Sequence, residues 1–403
     1  MKKRYYFLLG LVLILILTGI IVYPKYQRVT KFMNMFKIEQ ITENFLNMNS
    51  FIPSRELPAS QNKYNWDLKK HFIFPDSFSL NDQKFEIQTY LDSSFTTGLL
   101  IVQNDSLAYE YYNLGHSESN PHIAWSVSKS VLSALIGIAI EEGKIKSIEE
   151  NIEVYVPELI GSGYEGVKIK DILQMSTGVR FVEDYGDMNS DINRWGRDFA
   201  LGNSQDKFAS SLENEREPGT YHHYVSINTH VLGMLLVRTT GMNISEYMSE
   251  KLWNPIGAEF GAYWLIDDSG MEMALGGLNA CLRDFAKVGM LYLHEGNWQG
   301  QQLVPRAWIK ASVTPDASHL MPGTRDNSAH LFGYGYQWWI PEGNEGEFLG
   351  IGVYNQYLYV NPTTKTVIVK NSANYRYNEP NNVYRSTLAS LEMFRKIAHL
   401  NAN

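Results

Sequence analysis

Hydrophobic and polar positions divide the 403-residue chain into stretches of different period. The first stretch is continuous: Tyr5 to Tyr23 runs 19 residues without a charge, mostly Leu, Ile and Val. At about 1.5 Å per helical residue it spans roughly 28 Å, close to the hydrocarbon thickness of a bilayer. It ends Ile-Ile-Val-Tyr-Pro-Lys, without the small-residue cleavage site of a secretory signal. The pattern predicts an uncleaved signal-anchor over residues 1–31, with a cleaved signal peptide as the alternative. Lys2, Lys3 and Arg4 precede the run and Lys25, Arg28 and Lys31 follow it, so the positive-inside rule nearly ties. The short N-terminal flank is the easier one to keep inside. The remainder is then expected outside the cytoplasm, tethered to a cell membrane.

Residues 32–83 read as a connector, with rough helical spacing from Phe32 to Met48 that ends at Pro53 and Pro58. A globular domain is expected over 84–398. Leu99–Gln103 and Leu107–Tyr112, joined by Asn104-Asp105-Ser106, predict a β-hairpin. From Ser126 to Glu142 the chain is apolar on most sides, the mark of a helix buried at the centre of a domain, and Gly143 supplies a stop. The middle, about 144–325, predicts helices over 168–176, 228–240, 244–253, 283–294 and 305–313. Strand patterns return at Tyr334–Ile340, Tyr354–Val360 and Lys365–Lys370, with a turn at Asn361-Pro-Thr-Thr. A helix over about 381–398 closes the chain. Strands flanking a helical insertion predict an α/β (α+β) fold: an antiparallel sheet built from both chain ends, with a helical subdomain beside it.

Charge narrows the function. The first 31 residues hold six basic groups and no acid, which leaves 29 basic against 43 acidic groups in the rest. An acidic body of this kind argues against nucleic acid as a partner. The single cysteine, Cys281, excludes an internal disulfide and a cysteine-based zinc site. Its apolar neighbours fit a buried small hydrophobe. His222, His223 and His230 lack the i, i+4 spacing of a helical metal site, so no metal is expected.

Ser-x-x-Lys occurs three times, at Ser60/Lys63, Ser126/Lys129 and Ser204/Lys207. Only Ser126 opens an apolar, buried helix. In the first turn of a helix, residues three apart share a face, so Lys129 reaches the Ser126 hydroxyl. Free backbone N–H groups there favour negative charge on oxygen. Burial lowers the pKa of a lysine and lets it accept the serine proton. The plainer alternative, a serine cap beside a surface lysine, requires Lys129 to be exposed.

His122-Ile-Ala-Trp-Ser-Val-Ser-Lys-Ser-Val-Leu resembles the nucleophile segment of penicillin-binding proteins, class C β-lactamases and related esterases. The resemblance implies a β-lactamase-like fold, a Ser126 acyl-enzyme and Lys129 as activator. Pro218-Gly-Thr-Tyr-His-His-Tyr-Val-Ser-Ile-Asn resembles the family's Pro-Gly-Thr stretch ahead of Tyr-x-Asn. It implies that Tyr224 shares the proton traffic. Ser226 stands where Asn is usual, which is similar to the branch containing 6-aminohexanoate-dimer hydrolase. Met175-Ser-Thr-Gly followed by Glu183-Asp-Tyr185 is similar to the same branch and implies that Tyr185 contacts substrate.

The family's third motif, Lys-Thr-Gly, is missing. Its counterpart is Phe348-Leu-Gly-Ile-Gly-Val-Tyr-Asn-Gln356, where Gly352 and Gln356 fit the branch pattern and Asn355 replaces a glycine. The backbone near Gly352–Val353 is expected to supply the second oxyanion donor, after that of Ser126. Trp338 and Trp339 are expected either as an apolar wall nearby or as core. Loss of the Lys-Thr-Gly cation disfavours β-lactam or cell-wall peptide substrates. The expected activity is hydrolysis of a small-molecule ester or amide, without a cofactor. A penicillin-binding peptidase or β-lactamase, and a non-catalytic membrane-tethered sensor, are the alternatives.

Overall fold

The computed structural model describes residues 2–379 and 382–400. One helix runs from Lys2 to Asn34 and continues through Pro24. Its Arg4–Asn34 portion is long and apolar enough to cross a membrane, a test that a signal sequence also passes. The described side chains from Tyr5 to Tyr23 are exposed, but the end of the helix docks. The Arg28 guanidinium donates to Asp268 Oδ1 at 2.7 Å and to the Ala200 carbonyl at 2.6 Å. Met35 is fully buried, and Phe36 stacks on Tyr354 with ring centroids 4.9 Å apart.

The segment expected as a connector contributes strands to three sheets, one of them the hairpin of Ser77–Leu80 with Gln83–Glu86. Ser54–Leu57 pairs antiparallel with Ala262–Leu265, and Asp67–Leu68 pairs parallel with Ser106–Leu107. Pro53 and Pro58 exclude a helix here but not a short edge strand between them.

Eight strands form the main sheet among the described residues, in the order Gly333–Tyr334, Trp339–Ile340, Phe348–Gly352, Gln356–Asn361, Thr366–Ser372, Thr96–Gln103, Ser106–Tyr112 and Asp67–Leu68. The expected strand over 334–340 is thus two short ones. The hairpin turn uses Asn104 and Asp105, both with positive φ, as a two-residue turn that matches strand twist demands. Thr96–Gln103 is buried at every position because helices cover both faces. On one face Leu100, Val102, Val367 and Val369 join the main core. On the other, Leu99, Ile101 and Ile368 pack with Phe394 and Ile397 of the closing helix, Asn382–Leu400. The expected start of that helix, Asn381, lies outside the described residues.

The buried central helix spans Val127–Glu141. The other expected helices fall at Ile169–Leu173, Ser226–Thr240, Ile244–Met248 with a wider turn to Trp253, Leu282–Leu293 and Arg306–Ser312. Asp191–Ala200 and Gln205–Ser210 are additional helices. The first is mostly polar, yet Ile192, Trp195 and Phe199 lie on one buried face at helical spacing. A second sheet of four strands, Ser54–Leu57, Ala262–Leu265, Leu278–Ala280 and His122–Ile123, delivers the chain to Ser126.

Candidate active site

Three residues separate the His122–Ile123 strand from the central helix. Trp125 makes the turn with φ +46, a left-handed conformation costly for a bulky side chain. Its ring is held by Phe36, Phe45 and Tyr354, and Ala124 N–H donates to the Leu278 carbonyl at 2.9 Å. The turn leaves Ser126 at the helix N-terminus, where backbone N–H groups converge.

Lys129 is 1% exposed. Its Nζ lies 2.9 Å from Ser126 Oγ and 2.5 Å from the Leu275 carbonyl. Burial pulls the amine down to about 7, against a smaller upward pull from the Glu183 carboxylate. A serine cap with a surface lysine does not describe this pair. The other two Ser-x-x-Lys sequences are structural. Ser60 Oγ bonds the Asn254 carbonyl and the Asn62 N–H, and Ser204 Oγ accepts from Lys207 N–H as a helix cap.

Tyr224 is within hydrogen-bonding reach of the Ser126 and Ser226 hydroxyls. Burial, with Glu183 adding to it, raises its phenol above the usual range. The Lys129 Nζ sits 5.3 Å from the centre of its ring. Ser226 donates to Glu183 through its N–H at 2.9 Å and its hydroxyl at 2.5 Å, and Tyr185 donates to the same carboxylate at 2.7 Å. Glu183 therefore ties these two expected residues to each other. It was not picked out as a site residue in the sequence, although it stands two positions before Tyr185 in the Glu-Asp-Tyr segment.

Gly352 ends the strand that borders the nucleophile turn. A Cβ on it would come within 2.6 Å of the Ala124 carbonyl, so the close approach requires glycine. The next residues, Tyr354 and Asn355, both have positive φ, which accounts for glycine being usual at the second. Gln356 fastens the turn: its amide donates to the Val353 and Tyr354 carbonyls and to Ser372, and its carbonyl accepts from Ser372 N–H. Among the described residues, the Ser126 and Val353 N–H groups have no backbone acceptor.

Ser126, Glu183, Tyr185, Tyr224, Gly352 and Val353 all line one cavity of about 480 Å3. Trp339 lines it too and stacks on Tyr224 at 5.2 Å, whereas Trp338 is core.

Residues 96–391 match the β-lactamase family. The chain belongs to that family. Within it, the chain is 31% identical to the 6-aminohexanoate-dimer hydrolase of Paenarthrobacter ureafaciens over 296 residues, 72% of this chain and 75% of that protein. A Bacillus anthracis protein classed with 6-aminohexanoate-dimer hydrolases superposes with a TM-score of 0.79 at 24% identity, covering 91% of this chain and 95% of that one. EstCE1, a hydrolase with promiscuous acyltransferase activity, has a TM-score of 0.60 at 14% identity, over 77% and 96% of the two chains. The protein is thus a β-lactamase-fold serine hydrolase similar to an amide hydrolase.

The remaining candidates of this family member serve local structure. His222 pairs with Ser328, His223 with the Phe181 carbonyl and His230 with Asp206, three separate partners. Cys281 is buried at the start of the Leu282–Leu293 helix, and burial pushes its thiol up, away from a reactive thiolate.

Proposed function

We propose that the protein hydrolyses an ester or amide of a small molecule through a Ser126 acyl-enzyme. The observation that carries this reading is the 2.9 Å contact between Ser126 and a buried lysine poised near neutrality. Ser126 Oγ attacks the carbonyl carbon and its proton passes to Lys129 Nζ. The amides of Ser126 and Val353 hold the oxyanion, each such donor being worth roughly 3 kcal/mol. Tyr224, whose raised phenol keeps its proton, delivers one to the leaving group and is refilled from Lys129. Water then attacks the acyl-enzyme by the same route in reverse, releasing the acid and restoring Ser126. Tyr185, held by Glu183, lines the substrate side, while Ser226, expected there too, is fully buried and holds Glu183 from behind the cavity wall.

Among the described residues lining the cavity there is no lysine or arginine, while Glu183 and Asp184 are acidic. Such a wall does not hold a substrate carboxylate, which disfavours β-lactams and cell-wall peptides. The N-terminal helix is read as a retained membrane anchor with the hydrolase domain outside the cytoplasm. A fluorophosphonate probe and nitrophenyl acetate test the assignment: wild type labels and turns over, Ser126→Ala does neither. A folded wild type that neither labels nor turns over defeats it in favour of a sensor domain.

A further inference from the structure

A second cavity, of about 220 Å3, meets the first at the nucleophile. Ser126, Tyr185, Val353 and Asn378 line both. The wall of the second is mostly apolar, with Asn193, Arg197 and Asn378 as polar side chains beside Ser126. Phe32, Met33, Met35 and Phe36 from the end of the N-terminal helix form one side. Ile192, Trp195 and Gly196 of the Asp191–Ala200 helix form another, with Met273 and Leu275 at the back. The first two of these helix residues are core side chains, and Phe32 packs on Phe199 with centroids 6.4 Å apart. The cavity is therefore walled by elements packed into the body.

Its position matters as much as its lining. The charge-free run ends at Tyr23, and Phe32 lies nine residues further along the same helix, roughly 14 Å by helical rise. Arg28 and Lys25 pair with Asp268 and fix the helix against the body between those points. A span ending at Tyr23 therefore places this cavity just above the lipid surface.

We infer that the second cavity is an acyl-chain site, and that the substrate is an amphiphile with one acyl chain, drawn from the membrane. The chain lies between the N-terminal helix and the Asp191–Ala200 helix, its carbonyl at Ser126 and its leaving group in the larger cavity. This rests on the hydrolase reading above and specifies the substrate of that site.

The test uses the full chain in phosphatidylcholine vesicles with nitrophenyl acetate and nitrophenyl octanoate. Burial of each methylene raises kcat/KM by up to about fourfold, so the six extra methylenes of octanoate set a ceiling of about four thousand on the octanoate-to-acetate ratio, and partial burial should still bring it above about a hundred. Two variants probe the cavity. Gly196→Leu fills it: a Cβ at Gly196 meets Phe32 only at ordinary contact, 3.5 Å, and the rest of the side chain enters the space. Met188→Asp sets a charge at the mouth, and Met188 is 53% exposed, so the fold tolerates it. Each should lower the octanoate-to-acetate ratio at least about tenfold. Comparison between variants cancels partitioning of the esters into lipid. Acetate turnover with no preference for octanoate, or a preference that neither variant reduces, overturns the acyl-chain site and leaves the hydrolase standing. Turnover of neither ester, with no probe on Ser126, overturns the hydrolase reading itself.

Discussion

Lys129 answers to two environments that pull in opposite directions. Burial drives its amine down to about 7, and the Glu183 carboxylate pulls it up. As the proposed base it must be neutral, so kcat/KM for nitrophenyl acetate should rise with pH through about 7 and level off above. The raised phenol of Tyr224 contributes no second limb in the neutral range. Replacing Glu183 by Gln removes the upward pull, so the rising limb should move to lower pH; a limb that stays in place or moves up would show that the limb does not belong to Lys129. Tyr224 permits a separate test. A nitrophenolate leaves without a proton, whereas an amine does not. Tyr224→Phe should therefore lose about 10²–10⁴-fold on an anilide and clearly less on the matching nitrophenyl ester. Equal losses on both would assign Tyr224 to acylation in general rather than to leaving-group protonation.

Elements bring these side chains together through close approaches that glycine allows. A Cβ on Gly352 would meet the Ala124 carbonyl at 2.6 Å, beside the nucleophile. A Cβ on Gly289 would meet Val367 at 2.5 Å and Leu358 at 2.9 Å, where the Leu282–Leu293 helix lies on the main sheet far from Ser126 in the chain. Overpacking of this kind costs about 1–3 kcal/mol. Gly289→Ala should thus lower the unfolding midpoint while the folded enzyme keeps its kcat. Gly352→Ala should instead lower kcat out of proportion to any loss of stability, because it moves the strand that carries the Val353 amide. Sequence pattern marked the central helix, the Ser126–Lys129 pair and the hairpin, since each is encoded by neighbours in the chain, and Tyr224 followed from the family resemblance of its segment. It did not mark the Asp191–Ala200 helix, whose short apolar stripe is diluted by charge, nor the Ser54–Leu57 strand, whose partner lies about two hundred residues away at Ala262–Leu265. Glu183 escaped for the same reason: its role consists of contacts with Ser226, forty-three positions on.

At the scale of the whole molecule, the N-terminal helix is two objects in one rod. Its first part is a charge-free run whose described side chains are exposed, and its end is a piece of the core. The boundary between them falls near Pro24, not at the end of the basic flank. Lys25 and Arg28 reach Asp268, but that acid is 38% exposed, so the pairs are worth only about 0–1 kcal/mol. The larger share comes from Met35 and Phe36. Met35 is fully buried, and Phe36 packs on Trp125, the strained residue that turns the chain into the nucleophile helix. Removing a buried side chain of this size costs about 2–5 kcal/mol. A protein starting at residue 25 should then be soluble, with nearly full stability to urea and an intact acetate esterase rate. One starting at residue 37 should lose at least about 2 kcal/mol of stability, and its acetate rate should fall as well, since Trp125 loses a ring that holds its left-handed turn. If the shorter protein matched the longer one in both urea midpoint and rate, the docked end would be a passive tether. If only the shorter protein fails, the N-terminal helix is also a structural part of the active site.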